Sequence, residues 1–200
     1  MSAALRIGID FDNTIAGYDH VFADAARDVG WLSADNSFSK RNVRDSVRLL
    51  PDGEIKWQKL QARVYGARMA EALPLPGSLE FLRRAQSAGL TMFIVSHKTQ
   101  FANYDPDRVD LRDAARTWIA AQRIPIPADA VFFEPTRAEK IARIKALGCT
   151  HFIDDLEEVF IDSDFPSDVE RFLLSEDIPR VPEGIHVFRS WHDIATAFFD

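Results

Sequence analysis

Apolar positions along the chain fall into short continuous runs and helix-spaced sets, punctuated by Gly, Pro and Asp. Leu5 to Ile9 is an apolar run that carries Arg6 and Gly8 and stops at Asp10, the pattern of a buried strand. From there the period becomes helical over residues 18–30, 40–50 and 53–73, with Pro51, Asp52 and Gly53 dividing the second stretch from the third. Beyond Pro74 to Gly77 the pattern alternates: helix 78–88, strand 91–95, helix 109–122, strand 130–133, helix 136–147 and strand 151–153. Gly89 and Gly148 follow two of these helices, where a left-handed residue is cheap. The last quarter predicts strands over 169–174 and 185–188 and an amphipathic helix over 190–199 opened by Ser190.

Strand and helix in this rhythm predict an α/β fold, a Rossmann-like, doubly wound parallel sheet covered on both faces. The helical block, residues 16–75, reads as an insertion into an α/β core made of residues 1–15 and 76–200.

At 200 residues and 46% hydrophobic content, the chain is long enough to bury a core of its own. Its formal charge of −7 argues against non-specific binding to nucleic acid polymers or anionic membranes. The apolar runs are strand-sized, far short of the roughly 20 residues a membrane-spanning helix needs. The first dozen residues reach two aspartates and hold no apolar signal core, so a cytoplasmic protein is expected. One cysteine, Cys149, excludes an internal disulfide and a cysteine-based zinc site, and reads as a small buried residue.

The chemistry-bearing residues sit at strand ends. Asp10 and Asp12 follow the first strand, Ser96 the second, and Asp154 with Asp155 the fourth. In a parallel sheet these ends share one edge, where open α/β folds bind ligands. Asp-x-Asp alone carries little weight, since Asp105 with Asp107 and Asp162 with Asp164 repeat it. What sets Asp10-Phe11-Asp12-Asn13-Thr14 apart is its place after an apolar strand and before an insertion. Its plain alternative is a turn held by Asx hydrogen bonds, and for Asp154 and Asp155 it is capping of a helix over 156–161. Four converging carboxylates call for a cation, and oxygen donors without clustered His or Cys point to Mg²⁺.

These residues resemble the motifs of the haloacid dehalogenase superfamily of phosphohydrolases. The first motif matches Asp10, Asp12 and Thr14, the second Ser96, and the fourth Asp154-Asp155. For the third, a lysine near the start of a helix, Lys140 fits best, with Lys145 as the fallback about 7 Å further along the helix.

The resemblance implies a Mg²⁺-dependent phosphatase with two-step phosphoryl transfer. Asp10 would attack phosphorus and Asp12 would serve as acid, then base. Asp10, the backbone carbonyl of Asp12, and Asp154 or Asp155 would hold the metal, while Ser96 and Lys140 would hold the transferring oxygens. Thr14 would support the loop. Asn13, His97, Lys98 and Arg44 are further candidate substrate contacts, although a His after a strand is also a common structural residue. Because Asp12 is present, a halide substrate is disfavoured; a phosphonate-cleaving reaction using Lys40, Lys56 or Lys59 is a minor alternative.

The helical block would then be a cap between the first and second motifs. From Gly17 to Leu75 it carries nine basic and eight acidic residues, unlike the acidic remainder. Some of Lys40, Arg41, Arg44 and Arg48 could bind a second anionic group, or simply form a solvated helix face. The expected substrate is a small phosphorylated metabolite, a sugar phosphate or nucleotide. A phosphomutase on the same scaffold, or a binding or regulatory protein that has kept it, remain the alternatives. The sequence does not speak to oligomeric state.

Overall fold

The computed structural model describes residues 4–33, 39–177 and 180–199. The chain divides into two compact units, the first made of Met1–Ala16, Pro74–Lys98 and Arg123–Asp200 and the second of Gly17–Leu73 and Thr99–Gln122.

The first unit is built on six strands: β1 (Arg6–Ile9), β4 (Thr91–His97), β5 (Val131–Glu134), β6 (His151–Asp154), β7 (Glu170–Leu174) and β8 (Ile185–Phe188). Between β1 and β4 the chain forms two-residue strands, β2 (Ala16–Gly17) and β3 (Leu73–Pro74), which pair with each other. The large sheet runs β5-β4-β1-β6-β7-β8, and every pairing is parallel. Its helices are α4 (Ser78–Ser87), α6 (Arg137–Ala146), α7 (Glu157–Phe160) and α8 (Trp191–Phe199). Strands buried on both faces explain the unbroken apolar runs: Ile7, Ile9, Ile94, Val95, Phe152 and Ile153 are fully buried. Gly8 permits the β1–β6 packing, since a Cβ there would lie 2.5 Å from the Phe152 ring. β4 and β5 lie to one side of β1 and β6, β7 and β8 to the other, so the strand order reverses at β1, the place where such sheets open a crevice at their carboxyl ends.

α6 has both ends specified. Thr136 accepts the Glu139 amide hydrogen bond and its hydroxyl donates to the Glu139 carboxylate, a local variant of the capping box. At the other end Gly148 takes φ +59°, and its amide returns to the Lys145 carbonyl.

The second unit contains α1 (Asp19–Asp28), α2 (Lys40–Arg48), α3 (Gly53–Tyr65), a 3-10 turn at Met69–Glu71 and α5 (Leu111–Ala121). Aromatic rings fill its interior: Phe22 stacks on Trp57 with centroids 5.0 Å apart, and Tyr18 meets Tyr65 edge-on at 4.9 Å. Lys40 lays its ammonium 5.7 and 5.6 Å from the Phe22 and Tyr65 rings.

Two expectations change. The helical stretch 53–73 is shorter, because α3 stops at Tyr65 and Gly66 leaves helical geometry with ψ −100°. Residues 99–122, expected with the core, cluster instead with the helical block. The anchor is Trp118, which is buried and donates its indole N–H to the Ala72 carbonyl at 2.8 Å. Asp110 caps α5 by accepting the amides of Arg112 and Asp113.

Candidate active site

The Asp10 amide donates to the Ile153 carbonyl at 2.9 Å, carrying the β1–β6 ladder one residue past β1. Asp10 is thereby held beside Asp154, the last residue of β6. After Asp10 the chain turns tightly: the amides of Ile15 and Ala16 both donate to the Phe11 carbonyl, and Asn13 takes φ +60°, a conformation that Asn tolerates. Trp191 of α8 fastens this loop by donating its indole N–H to the Thr14 carbonyl at 2.7 Å. The Thr14 hydroxyl is buried without a hydrogen-bond partner.

Lys140 enters from the first turn of α6. Its Nζ lies 2.5 Å from Asp10 Oδ1 and 2.6 Å from Asp154 Oδ2, and the lysine is 2% exposed. Burial works against its charge, but the carboxylates of Asp10 and Asp154 outweigh that and hold the ammonium above the ordinary lysine range. Burial has the opposite sign for an acid and pushes Asp154 up, against the pull of Lys140. Asp154 Oδ1 also accepts the Leu156 amide at 3.0 Å, so one carboxylate serves both the turn and the lysine. Lys145, the fallback, is exposed.

One carboxylate oxygen from each of Asp10, Asp154 and Asp155 lies within 4.8 Å of the other two. This is an all-oxygen donor set, two of its three members buried, and it fits a hard divalent cation. The Asp12 side chain is outside the group. Its Oδ2 lies 2.7 Å from Lys98 Nζ.

Ser96 is buried within β4, which runs two residues further than expected and ends at His97. Side chains alternate across a strand, and His97 turns away to meet the Pro135 carbonyl through Nε2 at 2.9 Å. His97 thus takes the structural role common to a His after a strand. Lys98, back on the Ser96 side, is buried against Asp12. This ion pair was not foreseen, although the two-residue spacing from Ser96 gave Lys98 the right face. Also unforeseen was Glu134 at the end of β5, whose carboxylate meets Arg143 Nε at 2.7 Å and whose carbonyl accepts the Lys98 amide.

In the second unit Arg44 pairs with Asp45 at 2.9 Å and Arg48 with Glu54 at 2.7 Å. Lys56 lies over the Trp31 ring at 5.8 Å and Lys59 is exposed. Cys149 is buried, and burial pushes its thiol up to about 11.

No helix among the described residues is long and apolar enough to cross a membrane. No family model and no curated protein matches the sequence. Solved structures do match in fold. A haloacid dehalogenase family hydrolase from Deinococcus radiodurans R1, with bound phosphate and sodium, has a TM-score of 0.60 at 14% identity, covering 99% of this chain and 96% of that one. A haloacid dehalogenase-like family hydrolase from Streptococcus pneumoniae gives 0.61 at 14% identity, covering 99% and 100%. A dehalogenase gives 0.58 at 10% identity, covering 98% of each chain. Likeness at such identities speaks of architecture alone: this chain shares the parallel α/β fold of these structures.

Proposed function

We propose that this chain is a cytoplasmic, Mg²⁺-dependent phosphatase acting on a small phosphomonoester, a sugar phosphate or nucleotide, through an aspartyl phosphate on Asp10. The observation that carries the reading is the Asp10 carboxylate at the carboxyl edge of the central strand, 2.5 Å from the Lys140 ammonium and grouped with Asp154 and Asp155. The second carboxylate, Asp12, lies two residues on and is paired elsewhere.

Asp10 attacks phosphorus, forming the Oδ–P bond as the bond from phosphorus to the leaving oxygen breaks. Asp12 gives that oxygen a proton, then takes one from the water that cleaves the aspartyl phosphate. Ser96 and Lys140 hold the transferring oxygens, Lys140 by charge. Asp10, Asp154 and Asp155, with the Asp12 carbonyl, would hold Mg²⁺, which would supply positive charge against the anionic phosphoryl group. A leaving group that needs a proton gives Asp12 its purpose, which favours an ester over a halide. The helical unit would be the cap that the resemblance implies.

Beryllium fluoride mimics a phosphoryl group on a carboxylate and tests this directly by fluorine NMR. Wild type is expected to bind it only with Mg²⁺, and Asp10→Asn not at all. Binding that ignores both Mg²⁺ and the substitution would favour a phosphate-binding protein on the same scaffold.

A further inference from the structure

Two lysines serve three aspartates here, and they divide the work. Lys140 reaches the Asp10 and Asp154 carboxylates from α6, whereas Lys98 reaches Asp12 from just beyond β4, its Nζ 2.7 Å from Asp12 Oδ2. Lys98 is held at both ends. Its amide donates to the Glu134 carbonyl at 2.8 Å, extending the β4–β5 ladder past His97, and its ammonium lies 5.6 Å from the Phe11 ring centroid. At 4% exposure the residue is nearly as buried as the core. An ammonium is tolerated at such depth only when paired. The Asp12 side chain keeps 19% exposure, so one of its faces is taken by the lysine while part remains open.

We propose that Lys98 is the positioning residue of Asp12: its ammonium fixes the carboxylate in the rotamer that meets the leaving oxygen, instead of binding the phosphoryl group. The inference rests on the phosphatase reading above. A carboxylate that transfers a proton must stand within about 2.6–3.2 Å of the oxygen it serves. An aspartate side chain on a loop otherwise samples several rotamers. The buried ion pair selects one of them before substrate arrives, so the cost of ordering is met by the fold.

The test compares two substrates that present the same phosphoryl group: an alkyl phosphate, whose leaving oxygen must be protonated, and p-nitrophenyl phosphate, whose leaving group departs as the anion. Lys98→Met is expected to lower kcat/KM, which reports the first transfer, about 100-fold on the alkyl ester and under about 10-fold on the aryl ester. Lys98→Arg should recover most of the alkyl activity. Asp12→Asn with Lys98→Met should be no slower than Asp12→Asn alone, as two residues acting through one another require. Should the Met variant not fold, Lys98→Gln gives the same comparison. Equal losses on both esters would overturn the inference by assigning Lys98 to the phosphoryl group or to stability. Wild type that hydrolyses neither ester would overturn the phosphatase reading and this inference together; wild-type turnover abolished by Asp10→Asn, with equal losses in the Lys98 variants, would overturn this inference alone.

Discussion

The Lys140 ammonium lies 2.5 Å from Asp10 Oδ1 across 130 residues of sequence. The sheet makes the contact possible: β1 delivers Asp10 to its carboxyl edge, and α6 begins at that same edge after β5. The carboxylate proposed as nucleophile is thus already matched to a fixed charge in the interior.

Removing that charge leaves two buried carboxylates facing each other. Lys140→Met is expected to lower stability by about 3–5 kcal/mol, as breaking a buried ion pair does. Urea melts with and without Mg²⁺ check this, and added Mg²⁺ should return part of the loss if the three-carboxylate group holds it. A Met variant as stable as wild type without metal would show that the pair is not formed.

The Thr14 hydroxyl gives a prediction of opposite sign. Buried with no partner, it carries a desolvation cost that a methyl group of the same shape does not. Thr14→Val should leave stability unchanged or raise it by up to about 1 kcal/mol. A clear loss in a thermal melt would mean that the hydroxyl is hydrogen-bonded after all.

Two carboxylates of the candidate site were legible from the chain's own pattern, and the lysine only through its match to a motif of the family that the sequence resembles. Asp10 and Asp154 end apolar runs, and Lys140 sits in the first turn of a helix with a readable cap, at the end facing the strand edge. Lys145 shares the helix but lies about 7 Å further from that edge, which is why it reaches solvent instead. Lys98 on Asp12 was not legible, because an ion pair between two loops leaves no repeat in either. The end of α3 was hidden for a related reason. Residues 66–73 keep helix-like apolar spacing, yet a Cβ on Gly66 would lie 2.7 Å from the Ala62 carbonyl and 3.2 Å from Val109 Cβ, and the chain turns there. The attachment of α5 to the helical block depends on where Trp118 finds its partner, a long-range fact with no local signature.

Cys149 should be a poor nucleophile. Its thiol is pushed up to about 11 by burial, against about 8.5 for a free cysteine, so at pH 8 its thiolate fraction falls by a factor of about 100 or more. Labelling by a disulfide reagent at pH 8 should be slower by at least that factor in the native protein than in urea. Comparable rates would place the thiol at the surface.

Trp191 ties the α8 end of the chain to the Asp10 loop. Trp191→Phe keeps most of the ring packing on Phe81, whose centroid lies 5.0 Å away, but leaves the buried Thr14 carbonyl without its indole donor. The expected loss is about 1–3 kcal/mol, read from urea midpoints. No shift would show that the bond contributes nothing.

The most direct measurement is phosphate release across a panel of sugar phosphates, nucleotides and small phosphate esters, with and without Mg²⁺, for wild type and Asp10→Asn. Turnover of at least one ester that requires both Mg²⁺ and Asp10 is the predicted result. Release that persists in Asp10→Asn, or none from any ester by folded, Mg²⁺-loaded protein, would contradict the account.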